Sequence, residues 1–368
     1  GIYHATSIVC ESPSGAAADL LGRKRCMILS NICIAVSCVI MLFSKSFGWF
    51  AVSFVVQALG NNLNSGSEEA LVYDSMKCLG QEEHYMGVYG RLNVLIEVAQ
   101  GLATVAGGVL AEVSYFWCYA ACVVIAVLAL LPVLWMAEPP QCGAAADTTG
   151  ESAEDASAEK TPEQRTIRET VEHHFAVSAC ILQKDVRIGK IIGFYSVVFA
   201  SHTLLFFYSQ QYFADLGYNK AQISVIMLLV GGASCLGALV SEKMYRQLGK
   251  KCLIPETVII AAAILCYGAG KAGVAVAALM CAGFANAALY PIQSDSLNAL
   301  IPSEQRATLI SVDSMCFSTA MIVLFPLAGA LADRWGLKTV LLLLGALLLL
   351  FLSTVFCIEK ESFSSEHS

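Results

Sequence analysis

Two apolar runs, 2–18 and 26–44, are joined by the stretch Gly15-Ala16-Ala17-Ala18-Asp19-Leu20-Leu21-Gly22-Arg23-Lys24. A bilayer core about 30 Å thick requires roughly 20 apolar residues of helix, so each run is close to the length of one span. The break between them carries a glycine and a basic cluster, which is typical of a short loop at a membrane surface. This stretch therefore predicts two membrane-spanning helices.

The composition extends that prediction to the whole chain. The sequence of 368 residues is 57% hydrophobic and 14% charged, whereas soluble chains are about 45–50% apolar and about 25% charged. Backbone groups in lipid must be satisfied within the segment, so apolar runs of this length form helices. We therefore predict an all-α membrane protein with eleven such runs, at about 2–18, 26–44, 48–73, 87–112, 116–136, 188–213, 221–241, 252–270, 272–295, 308–332 and 338–358.

Other function classes lack support in the sequence. The net charge is −7 and the acids concentrate in one loop, so we expect no nucleic-acid partner. Many of the fifteen cysteines stand singly in apolar runs, and no repeated CxxC indicates zinc. No Walker A, HExxH or GxSxG pattern occurs, so we expect neither an enzyme nor a bound cofactor or metal.

Lys and Arg residues indicate the orientation. Most of the 22 lie in one set of alternate loops, and such loops are cytoplasmic. The C-terminus is then cytoplasmic and Gly1 lies outside. A missing first helix would explain that unusual start.

The two halves repeat each other at a shift of about 221 residues. Asp74-Ser75-Met76-Lys77 corresponds to Asp295-Ser296-Leu297-Asn298, and 108–112 corresponds to 329–333. We therefore predict four regions: an N-terminal bundle, 1–136; a cytoplasmic linker, 137–186; a C-terminal six-helix bundle, 187–358; and a cytoplasmic tail, 359–368. An amphipathic helix is predicted in the linker, with a partly ordered segment as the alternative.

The stretch 15–24 resembles the loop motif G-x-L-a-D-r-x-G-r-k of the major facilitator superfamily. The matching residues are Gly15, Asp19, Gly22, Arg23 and Lys24, whereas Ala17 and Leu20 depart from the motif. The resemblance implies a fold of two pseudo-symmetric bundles, here with five and six helices because the first is missing. It also implies that Asp19 latches the bundles on the cytoplasmic side, with simple capping of the loop as the alternative.

A second loop, 65–75 followed by Gly90-Arg91, resembles a pattern of bacterial members of the family, in which Arg91 would pair with Asp74 or Asp19. Two departures from the proton-coupled members are Val56, where an Arg is common, and Ala103-Thr104, where drug antiporters carry Gly-Pro. Both weaken the prediction of a standard proton antiporter.

Three polar and aromatic stripes lie within the apolar runs at helical spacing. By the resemblance they belong to the fourth, seventh and tenth helices, which line the central cavity of the family. Interhelical hydrogen bonding, worth about 0.6 kcal/mol each on average, is the alternative. The stripes are Gln57, Asn61, Asn64 and Glu68; Tyr195, His202 and Phe206; and Asn286, Tyr290 and Gln293.

Candidate carriers of a coupling proton are the acids Glu11, Glu69, Glu97 and Asp313. Charged groups in apolar helices are costly and mark functional sites unless they reach a surface or a partner. Six glycines are predicted to bring helices into close contact, either at the seam between bundles or within one bundle. They are Gly101, Gly107, Gly108, Gly231, Gly232 and Gly237.

These patterns together predict a monomeric, multi-pass transporter of the cell membrane that moves a small-molecule substrate by alternating access. Export of a hydrophobic or drug-like compound fits a path that is aromatic and polar without clustered positive charge, and protons are a candidate coupling ion. Uptake of a sugar or another metabolite is one alternative. A non-transporting receptor or inactive fragment is the other.

Overall fold

The computed structural model describes residues 1–81, 84–136, 186–248, 253–267, 271–298 and 306–365. Eleven helices and no strand lie in these ranges, which confirms the all-α prediction. The helices are α1 Ile2–Leu21, α2 Arg23–Phe43, α3 Phe47–Cys78, α4 Tyr85–Val113, α5 Tyr115–Trp135, α6 Val186–Asp215, α7 Lys220–Leu248, α8 Leu253–Cys266, α9 Ala272–Asn298, α10 Arg306–Trp335 and α11 Leu337–Ser365.

Each predicted apolar run corresponds to one of these helices. α3 and α11 extend several residues beyond their runs, and α11 continues into the predicted tail. Within the described residues, six helices are long and apolar enough to cross a membrane, and the chain is a multi-pass membrane protein. These six segments are Arg23–Phe43, Tyr115–Trp135, Ile188–Asp215, Lys220–Gln247, Ala272–Tyr290 and Val312–Trp335. The predicted linker helix lies outside the described residues.

The chain divides into two compact units. Unit 2 contains Ile2–Gln100 and Val113–Ile181, in which α2 packs against α3 and α5, and α1 packs against α3. The buried side chains of Ser37 on α2 and Ser53 on α3 lie 3.1 Å apart between hydroxyls, and Ser53 Oγ donates to the Ser37 carbonyl at 3.0 Å. Gly60 allows this close packing, because a Cβ there would lie 3.0 Å from Cys33 Cβ.

Unit 1 contains Gly1, Gly101–Glu112 and Leu182–Ser368. The second half of α4 thus groups with unit 1, although the sequence predicts the whole helix in the N-terminal bundle. α9 packs against α6, α7 and α8, while α10 packs against α6 and α11 against α8. The core between α6 and α8 includes the fully buried Phe213 and Tyr267, and Tyr212 Oη donates to the Tyr267 carbonyl at 3.2 Å.

The six glycines expected at close contacts behave differently. A Cβ on Gly237 would overlap the Phe284 carbonyl on α9, and one on Gly108 would overlap the Ser224 side chain on α7. A Cβ on Gly101 would lie 3.1 Å from Leu228 Cδ1. A Cβ would have no atom within 4 Å at the remaining three positions, which are Gly107, Gly231 and Gly232. Gly237 therefore serves packing within one unit.

Many hydroxyl groups bond to the backbone of their own helix. Thr6 Oγ1 donates to the Ile2 carbonyl at 3.0 Å, and Ser67 Oγ donates to the Leu63 carbonyl at 2.8 Å. The side chains of Ser75, Ser201, Thr203 and Thr319 do the same four residues back. Such bonds satisfy a polar group without a second helix.

Candidate functional site

Helices α6 and α9, which carry two of the predicted stripes, meet within unit 1 through Phe199, a residue outside the predicted stripe. The Phe199 ring of α6 lies 5.9 Å from the Tyr290 ring of α9, and Tyr195 lies 5.8 Å from Phe199, between ring centroids. The end of α6 contacts Tyr267, which precedes α9, so the two helices run antiparallel. We call Tyr195, Phe199 and His202 of α6 with Asn286, Tyr290 and Gln293 of α9 the α6–α9 ladder.

Polar groups flank the ring contact on one side. His202 follows Phe199 by three residues and Asn286 precedes Tyr290 by four, so in antiparallel helices rising about 1.5 Å per residue they lie at similar heights. Within the described residues, His202 Nε2 and Asn286 Oδ1 are buried and lack a hydrogen-bond partner. An unsatisfied buried polar group costs about 1–3 kcal/mol, so each such group requires a functional or structural explanation.

A carboxylate lies on the other side of the ring contact. Gln293 is only 2% exposed, and its Nε2 donates to Asp313 Oδ1 of α10 at 2.8 Å. Among the described residues Gln293 Oε1 has no partner. Gln293 therefore joins the ladder, with its neutral polar groups on His202 and Asn286, to Asp313. Asp313 is a partly buried acid, which is able to hold a proton.

The ladder residue Tyr290 and Phe207, which follows the predicted Phe206 in the sequence, are both accessible. Tyr290 is 62% exposed and Phe207 is 53% exposed, and Phe206 contacts Phe207 edge to face at 5.7 Å. An exposed ring offers a surface for stacking or apolar contact with another molecule. Phe206 itself is partly buried against the core of unit 1.

The fourth-helix stripe lies on α3 in unit 2, where its residues bond within that unit. Asn61 Nδ2 donates to Tyr3 Oη of α1 at 2.9 Å, and Asn64 Nδ2 donates to Glu68 Oε2 at 2.9 Å. The contact of Asn61 favours the interhelical packing interpretation for that residue, whereas Asn64 bonds within its own helix. Gln57 is partly buried, and its role in a cavity stays a prediction.

Two hydrogen bonds between Ser7 and Asn62 join α1 to α3, and the sequence patterns do not predict them. Ser7 Oγ donates to Asn62 Oδ1 at 2.8 Å, and Asn62 Nδ2 donates to the Ser7 carbonyl at 2.7 Å. Asn62 falls outside the polar stripe, so helical spacing from Gln57 does not select it.

In the loop motif, Lys24 caps the C-terminal end of α5. Gly22 precedes α2 with φ 90°, a left-handed conformation that favours glycine. Lys24 Nζ donates to the Leu134 carbonyl near the end of α5 at 3.0 Å, where a cation complements the helix dipole. Arg23 is partly buried and Arg91 is exposed. The side chains of Asp19 and Asp74 and the surroundings of Gly15 lie outside what the structure describes.

The candidate proton carriers are described only in part. Glu11 is partly buried, and Asp313 bonds to Gln293. The side chains of Glu69 and Glu97 lie outside the described residues. No pattern in the sequence predicts a role for Glu256, the only acid in the run 252–270. It is 1% exposed, and its carboxylate lacks a partner among the described residues.

Comparison with known proteins places this architecture in a class of membrane transporters. The family model of the Major Facilitator Superfamily matches residues 1–318. The chain belongs to this superfamily, which confirms the resemblance predicted from the loop motif. A search of curated proteins finds no match.

Solved structures share the fold at low sequence identity. A crystal structure of a mutant of the nucleoside transporter NupG has TM-score 0.79 and 12% identity, covering 97% of this chain and 90% of that chain. The D-xylose-proton symporter has TM-score 0.70 and 15% identity, covering 95% and 85%. The human organic anion transporter MFSD10 (TETRAN) has TM-score 0.60 and 20% identity, covering 95% and 82%.

Proposed function

We propose that this chain is a secondary transporter of the cell membrane that moves a small molecule by alternating access, with the α6–α9 ladder forming part of the substrate path. The observation that carries the proposal is a row of neutral polar and aromatic side chains within two apolar helices of a superfamily transporter. Binding sites near the midplane of such proteins lie where polar groups interrupt otherwise apolar helices.

The ladder favours an uncharged or weakly charged substrate. It contains amides, an imidazole and three aromatic rings, with Asp313 as the neighbouring acid. Such a surface combines apolar contact with a few directional hydrogen bonds, which is typical of sites for drug-sized ligands. Export of a hydrophobic or drug-like compound is the form of the proposal that follows from this chemistry.

Uptake of a metabolite is the second candidate. It is favoured by the similarity to a nucleoside transporter and to a D-xylose-proton symporter. Asp313 is the proposed proton carrier in either direction, because it is partly buried and its hydrogen bond to Gln293 joins it to the ladder.

The test uses the full chain in proteoliposomes with an imposed pH gradient. Hoechst 33342 represents a drug-like compound, and radiolabelled uridine and D-xylose represent metabolites. At least one probe should move faster than in protein-free liposomes, and its direction relative to the gradient separates export from uptake. If none of the three moves faster under a pH gradient of either sign or a membrane potential, the transporter proposal fails and a receptor role gains support.

Matched variants connect transport to the ladder. Asn286→Leu should slow the transported probe, because it removes the buried acceptor beside the ring contact. Asn31→Leu is the control, since Asn31 Nδ2 bonds to the Met27 carbonyl of its own helix at 2.9 Å in unit 2. Equal rates for both variants would contradict the assignment of the path to the ladder.

A further inference from the structure

The end of α4 and the start of α7 exchange charged hydrogen bonds within unit 1. Lys220 Nζ donates to the Ala111 carbonyl at 2.7 Å. The Ala221 amide donates to Glu112 Oε1 at 3.1 Å. Each charged side chain therefore bonds the backbone terminus of the opposite helix.

Helix termini explain why these two charges have these signs. The first amides of a helix carry partial positive charge and lack intrahelical acceptors, whereas the last carbonyls carry partial negative charge. Glu112 places an anion at the start of α7, and Lys220 places a cation at the end of α4. Both contacts are electrostatically favourable, and both depend on the two helices staying together.

The capping box at the start of α7 bonds the Asn219 and Gln222 amides, and Glu112 bonds the Ala221 amide. Asn219 and Gln222 form a reciprocal capping box: the Gln222 amide donates to Asn219 Oδ1 at 2.8 Å, and the Asn219 amide donates to Gln222 Oε1 at 3.0 Å. The Ile223 amide donates to the Asn219 carbonyl at 3.0 Å. Glu112 is thus the acceptor that the structure gives the Ala221 amide.

Small residues bring the two helices together next to these bonds. Gly108 packs so closely on Ser224 that a Cβ would overlap its side chain, and a Cβ on Gly101 would touch Leu228 Cδ1 at 3.1 Å. Ala111 is 8% exposed and Ser224 is 6% exposed. The charged contacts therefore lie next to two close approaches between these helices.

We propose that Glu112 and Lys220 form a latch that stabilises the conformation in which the second half of α4 packs on α7. The inference rests on the proposed alternating-access function, because a transporter of that kind must break and remake such contacts. α4 is the helix at which the division into units falls. Release of the latch frees residues 101–112 from α7, and its strength sets how often this conformation is populated.

The latch differs from an ordinary ion pair in a measurable way. In an ion pair, exchanging the two charges preserves the attraction. Here, Glu112→Lys would place a cation at the positive start of α7, and Lys220→Glu would place an anion at the negative end of α4. The exchanged double variant should therefore be weaker than either neutral variant.

Hydrogen–deuterium exchange of the full chain in lipid nanodiscs measures the latch without a substrate. Glu112→Gln should accelerate exchange of the Ala221 amide by about five-fold, the upper range for a charge at a helix end. Lys220→Gln should accelerate exchange in both 101–113 and 218–228. Glu242→Gln is the control, since Glu242 pairs with Arg246 on the same helix at 2.6 Å and is exposed.

The outcomes separate the alternatives. Unchanged Ala221 exchange in Glu112→Gln, or restored protection in the double variant Glu112→Lys with Lys220→Glu, would overturn the latch. Asn219→Ala is a positive control. It should accelerate exchange of the Gln222 amide and leave the Glu112 contact in place, so it tests whether the assay detects a broken cap. Faster exchange in the latch variants with no transport of any probe would retain the latch and reject the proposed function.

Discussion

Replacing Gly237 by Ala should destabilise unit 1, because the added methyl group meets backbone. A Cβ at this position would overlap the Phe284 carbonyl oxygen and lie 2.9 Å from its carbon and 3.0 Å from Phe284 Cα. Helix α9 is fixed by its own hydrogen bonds, so relief requires the whole helix to shift. The reverse contact is softer, since a Cβ on Gly283 would meet Ser234 Oγ at 2.8 Å, and a hydroxyl can rotate away.

The magnitude follows from two opposing terms. Ala is favoured over Gly in a helix interior by about 1 kcal/mol. Overpacking of a tight contact costs about 1–3 kcal/mol, and a clash with backbone belongs at the upper end. We therefore expect a net loss of about 1–2 kcal/mol for Gly237→Ala, which lowers the melting temperature of a unit of this size by about 2–8 °C.

Thermal unfolding of the purified chain in detergent, followed with a thiol-reactive fluorophore, measures this effect. Gly232→Ala is the matched control five residues away on α7, because its Cβ would meet nothing within 4 Å. It should melt at the wild-type temperature or slightly higher. If Gly237→Ala melts at or above the temperature of Gly232→Ala, the close approach of α7 and α9 is not as described.

Three further predictions concern other contacts. Ser53→Ala should lower the melting temperature by an amount equivalent to about 1 kcal/mol, because it removes both hydrogen bonds to Ser37, with Ser44→Ala as the control. Gly22→Ala should cost about 1–2 kcal/mol in the same assay because φ is 90° there, and an unchanged melting temperature would contradict this. Asp313→Asn should abolish the effect of a pH gradient on transport while downhill movement continues, whereas retained pH coupling would exclude Asp313 as the proton carrier.

The sequence predicts the helices well because each one is determined by the residues of its own apolar run. An apolar run must form its backbone hydrogen bonds internally, so every predicted run corresponds to a described helix. The loop motif with Asp19 and Gly22 was also specific enough to identify the superfamily. Helical spacing selects Tyr290 on α9 but not Phe199, through which α6 contacts it.

Contacts between helices were harder to predict, since they depend on rotations that no spacing rule encodes. Gly237 and Gly232 look alike in the sequence, yet only Gly237 meets a neighbouring helix. Asn61 fits a cavity stripe but bonds to Tyr3. The sequence marks Glu112 as the end of an apolar run and of the repeat 108–112, whereas its acceptor role depends on where α7 begins.

The hydroxyls that bond to their own helices have a consequence for biogenesis. Helices whose serines and threonines are already satisfied can enter lipid singly, without waiting for neighbours. Ser37 with Ser53 and Ser7 with Asn62 are different, because each lacks its acceptor until a second helix arrives. We therefore expect α1, α2 and α3 to leave the insertion machinery as a preassembled group, whatever the later order of the remaining helices.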